Sequence, residues 1–229
     1  MLGRLAVTVL LGWTIGSLPA RSDRLPLPAP TQLVARVAFG SCAFQSMEQP
    51  VFRAVVEAQP DLYISVGDAI YADYDLETRR VRPATPDSLR REWQVLADNP
   101  DWQHLRAHVP VMATWDNHDY GHHSAGADFQ YRRESESIFL DFFEEPQDSP
   151  RRTRPGVYDA RVFGPVGRRL QVTLLDTRSF KSPPVFSDRP AGAKGSLGKY
   201  APNDSVTATL LGDAQWLWLE EACTNHFLR

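Results

Sequence analysis

The sequence predicts an α/β fold built on a parallel sheet. Three observations carry this expectation. Short apolar runs alternate with segments at helical spacing, and three of the runs end in polar clusters. The composition, 42% hydrophobic and 23% charged over 229 residues, is that of a globular chain large enough for one big domain or two small ones. Eighteen prolines against fourteen glycines point to long fixed loops rather than a helical bundle.

Taken in order, Val34–Phe39 reads as a strand that stops at Gly40-Ser41. Pro50 opens a helix whose apolar face holds Phe52, Val55 and Val56 and which Pro60 ends. Leu62–Val66 is a second strand, closed by Gly67-Asp68. Thr85-Pro86 reads as a cap and first helical position, followed by Leu89, Trp93 and Leu96 at helical spacing. A short helix is expected over Trp102–His108, then a strand over Val109–Trp115 that runs into Asp116-Asn117-His118-Asp119. Ser135–Phe143 reads as a helix. Val157–Phe163 and Leu170–Leu175 both alternate and are joined by Gly164-Pro-Val-Gly167, which predicts a hairpin. Ser182–Asn203 is a long Pro/Gly-rich loop, and Asp213 is expected to cap a last helix containing Leu217, Leu219 and Ala222.

The first residues have another character. One positive charge at Arg4 precedes an uncharged apolar run, Leu5–Leu18, with Pro19-Ala20 before the first polar cluster. This is the pattern of a secretory signal peptide over residues 1–20, followed by a linker over 21–32 and a domain over 33–229. The apolar run is short for a bilayer span, so no stable membrane span is expected after cleavage. The implied location is secreted or periplasmic. Cys42 and Cys223 are the only cysteines, and an oxidising compartment invites a disulfide. Their contexts, a Gly-Ser-Cys turn and an amphipathic helix, favour two free thiols instead. Lys+Arg 25 against Asp+Glu 28, mixed along the chain, offers no nucleic-acid-binding surface. The oligomeric state is not fixed by the sequence.

The chemistry lies at three strand ends: Gly40-Ser-Cys42, Gly67-Asp-Ala-Ile-Tyr71 and Trp115–Gly121. In an α/β sheet ligands gather at the carboxyl ends of the strands, which brings these clusters together. A thiolate, a carboxylate, a phenol and an amide oxygen can hold metal ions, and carboxylate and amide oxygens favour hard ones. A carboxylate between two ions can bridge them, and a paired site suits attack on phosphorus. His118, beside Asn117, stands where it could protonate a leaving group. Each cluster alone has an ordinary structural explanation; the joint occurrence of all three argues for a site.

These stretches resemble the alkaline phosphatase D (PhoD-like) family of the calcineurin-like metallophosphoesterases. The matching segments are Phe39–Ala43, Pro60–Asp73, Val109–Gly121, Gly156–Tyr158, Leu174–Arg178 and Leu211–Leu219. The resemblance implies a four-layer α/β/β/α sandwich with a dinuclear site and hydrolysis of small phosphate mono- or diesters outside the cytoplasm. It implies Fe3+ and Ca2+ as cofactors. Carried over by position, Cys42 is an iron ligand, Asp68 the bridging carboxylate, Tyr71 the phenolate ligand, Asn117 an oxygen ligand and His118 the catalytic histidine. The chain departs from many relatives in having Asn117 where they carry Asp and His122-His123 where they carry Asn-Asp; either histidine could add a ligand or be structural. Relatives continue to a Gly-Asp-x-His strand that supplies further ligands, and Thr224-Asn-His226 is not that motif. The sandwich is therefore expected to be incomplete at its C-terminal side, with apolar strands such as Leu170–Leu175 short of neighbours and little turnover by this chain. Two alternatives stay open: an inactive metal-binding or interaction scaffold on the same fold, and a cysteine hydrolase using Cys42 with a histidine base.

Overall fold

The computed structural model describes residues 24–75, 78–188 and 198–225. The expected signal segment, His226 and part of the Pro/Gly-rich loop lie outside the described residues. The central sheet has three parallel strands in the order β1 (Val37–Gly40), β2 (Leu62–Ser65) and β5 (Val111–Ala113). Helix α1 (Val51–Glu57) makes the first crossover. The second passes through a small hairpin, β3 (Tyr74–Asp75) with β4 (Arg80–Val81), then α2 (Pro86–Asp98) and α3 (Pro100–His108). After β5 come the single turn α4 (Asn117–Tyr120) and the longer α5 (Arg132–Phe142). A second, antiparallel sheet pairs β6 (Asp159–Phe163) with β7 (Leu170–Leu174), as the alternation and the Gly164–Gly167 turn predict. A short pair, β8 (Val185–Phe186) with β9 (Tyr200–Ala201), precedes α6 (Gly212–Asn225).

The strand and helix boundaries follow from where backbone groups find partners. The first strand begins at Val37 rather than Val34, because the N–H groups of Ala35 and Arg36 donate to Asp61 Oδ2 at 2.8 and 2.9 Å. Val157 stays outside β6 because its N–H donates to Asp176 Oδ2 at 2.9 Å. Helix α2 starts on a reciprocal cap: Ser88 N–H donates to Thr85 Oγ1 at 3.2 Å and Thr85 N–H to Ser88 Oγ at 2.9 Å. Asn99 closes α2 and opens α3, its Oδ1 accepting from Asp101 and Trp102 at 3.0 and 3.2 Å. That cap, with Pro100 at the first position, starts α3 two residues before the expected Trp102. Gly212, not Asp213, begins α6; Asp213 sits in its first turn.

The layers pack in the order helices, parallel sheet, hairpin, helix. On one face of the parallel sheet, Tyr63 and Ala113 meet α1, α2, α3 and α5 through a core containing Trp93, Trp102 and Phe139. On the other face, Leu62 and Met112 meet Phe163, Val172 and Leu174 of β6–β7. The far face of the hairpin carries Gln171, whose Nε2 donates to the carbonyl of Ala222 in α6 at 3.2 Å. This is the expected α/β/β/α succession. Val172 and Leu174 are buried, while among the described residues β6 and β7 have only each other as strand partners, which leaves this sheet the open edges expected of it; Phe39 on β1 is 75% exposed.

A buried ion pair joins the helical half to the second sheet. Arg151 donates to Glu145 Oε2 at 2.8 Å and to the carbonyls of Ala113 and Val157 at 3.4 and 2.5 Å. It thereby ties the end of β5 to the approach of β6. Burial pushes the Glu145 carboxyl up, but the Arg151 charge and the hydrogen bonds from Ser149 and Arg151 hold it below its ordinary value. Removing one partner strands the other in the interior. Arg151→Ala should therefore cost about 3–5 kcal/mol in urea unfolding. Because the folded-state pKa is depressed, Glu145 stabilises the fold above its unfolded pKa and loses that contribution as pH falls through the folded value. Glu145→Gln should flatten this part of the acid limb.

Candidate active site

The three polar clusters meet at the carboxyl ends of the parallel strands. After β2, Gly67 and Asp68 take positive φ angles of 109° and 51°. A side chain at position 67 would place its Cβ 2.6 Å from the Asp116 backbone nitrogen, so this close approach of two loops requires glycine. After β1, Cys42 is also left-handed at 59°. Non-glycine residues hold such angles only where their surroundings fix them.

At Cys42 the N–H donates to the Gly67 carbonyl at 3.3 Å, and at Asp68 the fixing comes from Asp119. Its buried carboxylate accepts the N–H groups of Asp68 at 2.5 Å, Ala69 at 2.8 Å, Ile70 at 3.0 Å and Asp116 at 3.0 Å. Burial pushes this carboxyl up to about 7, against the pull of those backbone donors. With both loops pinned, Cys42 Sγ stands 3.7 Å from Asp68 Oδ2, and His118 N–H donates to Asp68 Oδ1 at 3.2 Å. The Tyr71 ring lies against His118 with centroids 4.4 Å apart, and Phe44 stacks on its other side at 4.6 Å. Asn117 is buried and its Nδ2 has no hydrogen-bond partner. Cys42, Tyr71 and His118 therefore gather around Asp68, with Asn117 next to His118 in the chain.

The cluster concentrates groups that become anionic. Burial pushes Asp68 up, with His118 and Cys42 pulling against it and Asp116 adding to the rise. Burial also pushes the Tyr71 phenol up, reinforced by Asp68 and Cys42. A cation would relieve both. Among the described residues no three His, Cys, Asp or Glu side chains form a ready metal cluster. The donors that do meet are Cys42, Asp68 and the Tyr71 phenol. They fit part of a coordination shell that includes the Asp68 carboxylate.

Three further groups were not singled out by sequence reasoning. Asp73, with its side chain fully buried, places Oδ1 2.5 Å from His118 Nδ1. Burial lowers the His118 pKa, but Asp73, Asp68 and Asp119 raise it above the ordinary value overall. Arg178, from the segment after β7, pairs with Asp116 Oδ1 through Nε at 2.6 Å and also through Nη2. Arg178 is itself set by Asp176, whose Oδ1 accepts its N–H at 2.8 Å. The clue to each was its position inside a matched stretch, Pro60–Asp73 for Asp73 and Val109–Gly121 and Leu174–Arg178 for the Asp116–Arg178 pair, but nothing local showed that the pair would meet. His122 is taken up by packing on Phe129, with ring centroids 5.7 Å apart, and His123 by stacking on Tyr200 at 6.3 Å. Cys42 and Cys223 are both free.

Loops gathered at one end of a parallel sheet, with a second sheet reaching in behind them, define an α/β enzyme scaffold of the ligand-at-strand-ends kind. The family model described as PhoD-like phosphatase matches residues 37–227, and the chain belongs to the PhoD-like phosphatase family. A solved structure titled "Structure of PhoD" is similar in fold, with a TM-score of 0.62 at 20% identity; the match covers 85% of this chain and 40% of that one. The chain thus spans well under half of that relative's length. No curated protein sequence matches significantly.

The Asp119 contacts generate a prediction. Asp119→Asn replaces an acceptor of four N–H groups with a side chain that carries a donor of its own. It should cost about 2–4 kcal/mol in stability, read by urea unfolding. It should also raise proteolytic cleavage within 67–71 and 115–118 more than elsewhere.

Proposed function

We propose that this chain is a metal-dependent phosphoesterase acting on small phosphate mono- or diesters outside the cytoplasm, with Fe3+ and Ca2+ as its ions. The observation that carries the reading is the grouping of Cys42, Tyr71 and His118 around the Asp68 carboxylate, with Asn117 next to His118 in the chain. Cys42 and Tyr71 would hold the more Lewis-acidic ion, Asn117 the harder one, and Asp68 would bridge. When bound, the ions supply the positive charge that aligns a phosphate ester and stabilises the charge growing on its oxygens.

The protein's own contribution is orientation and a proton. Asp73 engages His118 at Nδ1, which leaves Nε2 as the nitrogen available to a substrate. From there the imidazole gives its proton to the departing oxygen. The Tyr71 ring packs on one side of His118 and limits its rotation. Asp116, held by Arg178, keeps the start of the Asn117–His118 turn in place. The PhoD-like family membership supports the phosphatase reading. The export pattern at residues 5–18 supports a location beyond the cytoplasm; among the described residues no helix is long and apolar enough to cross a membrane.

The test is turnover of an aryl phosphate and its diester by the purified chain supplied with iron and calcium, alongside metal analysis. Asp68→Asn should lose both ions, and Asn117→Ala mainly one. His118→Ala should keep both ions and lose about 10²–10⁴ in rate. Asp73→Asn should also keep both and lose about 10–100-fold. If ferric iron sits on Cys42 and Tyr71, the loaded protein should absorb visible light, with the band weakened by Cys42→Ser and shifted or abolished by Tyr71→Phe. Equal metal loss in every variant would overturn these roles. A protein that retains neither ion and turns over neither ester would be a scaffold.

A further inference from the structure

Beside the candidate centre lies an open groove of about 530 Å³ between the β3–β4 hairpin and the start of α2. It borders the centre through two lining residues. Phe44 stacks on Tyr71, and Asp73 is bonded to His118. The rest of its wall includes Tyr74, Arg80, Arg82 and Glu92.

The charges of this groove are unevenly satisfied. Its carboxylates are engaged: Asp73 with His118 at 2.5 Å, Glu92 with Gln45 at 2.8 Å and Arg91 at 3.0 Å, and Asp75 with the Thr78 N–H at 2.9 Å. Arg91 is taken by that same Glu92. Arg80 and Arg82 have no ion-pair partner among the described residues, and both are exposed. They alternate around Val81, and the backbone between them is held: Arg82 N–H donates to the Asp73 carbonyl at 2.8 Å and Arg80 pairs with Asp75 across the hairpin. Two guanidinium groups are thus presented on a braced ribbon next to a phosphate-handling centre. Phe44 and Tyr74, ring centroids 6.1 Å apart, give the wall between an aromatic surface.

We infer that Arg80 and Arg82 form a subsite for a second oxyanion of the substrate, so that the preferred esters carry another phosphate or carboxylate beyond the reacting phosphorus. Guanidinium groups bind such oxyanions through paired, charge-assisted hydrogen bonds. The inference rests on the phosphoesterase reading for the reacting group, but the groove's affinity for a second anion is measurable apart from turnover.

The experiment compares phenyl phosphate with the phenylene bisphosphates and with carboxyphenyl phosphates, using the full chain and its Arg80→Ala/Arg82→Ala variant. The wild type should favour the doubly anionic esters in kcat/KM by about tenfold or more, and the variant should bring that ratio close to one. The carboxyphenyl arm separates a general oxyanion site from one selective for phosphate. Calorimetric titration with the same bisphosphates, with the centre left unloaded, should show binding weakened about tenfold or more in the variant. The Arg80→Lys/Arg82→Lys variant should retain part of it, and unchanged melting of both variants would confirm an intact fold. Turnover without preference for a second anion overturns the inference and leaves the phosphoesterase reading standing. Absent turnover with arginine-dependent bisphosphate binding does the reverse. Equal binding by wild type and the alanine variant overturns the inference whatever the turnover.

Discussion

The geometry of the site depends on one buried carboxylate. Asp119 gathers backbone N–H groups from the loop after β2 and from the turn after β5, which are strangers in sequence and neighbours only in the folded sheet. Acceptance of several backbone donors is what makes burial of a charged group tolerable. It also accounts for the left-handed backbone at Asp68, which has no local reason to persist. Once that backbone is fixed, the Asp68 side chain faces both the Cys42 thiol and the His118 N–H. The geometry of the proposed site is thus a consequence of main-chain bonding, one step removed from the side chains that would perform chemistry.

The second sheet repeats the device. Asp176, fully buried, accepts from Val157, Arg178 and Ser179, while Gln215 of α6 brackets its own backbone with bonds of 2.8 Å to N and O. The carboxylate fixes the start of β6 and the segment after β7, and Arg178 then reaches across to Asp116. The two interior carboxylates are linked through Arg178, whose N–H donates to Asp176 and whose guanidinium pairs with Asp116, itself bonded through its N–H to Asp119. The layers are therefore held at the site by directional bonds as well as by the apolar contact of Leu62 and Met112 with Val172 and Leu174.

Much of this was legible in the sequence because it is written locally. The Thr85-Pro86 cap, the Leu89–Trp93–Leu96 spacing and the Gly164–Gly167 turn each carry their structural meaning within a few residues, and the structure has those elements. The polar clusters at three strand ends were legible for the same reason. Boundaries failed where a side chain far away intercepted the backbone, as Asp61 does at Ala35 and Asp176 at Val157. Asp73 and Asp119 escaped notice because each looks like an ordinary turn residue until its long-range partner is known. The Asp116–Arg178 pair joins residues that no periodicity relates.

The placement of the donors has a consequence for biosynthesis. Every residue assigned to the centre, from Cys42 to His118, belongs to the helix-backed half of the chain, as does Asp119. A ribosome delivers that half first, and nascent chains begin to fold from the N-terminal side. The donors are thus all synthesised before β6, β7 and α6, so the loops can take shape while the opposite wall of the sandwich is still missing. Closure by the second sheet, with Arg178 latching onto Asp116, draws on segments that the ribosome delivers afterwards.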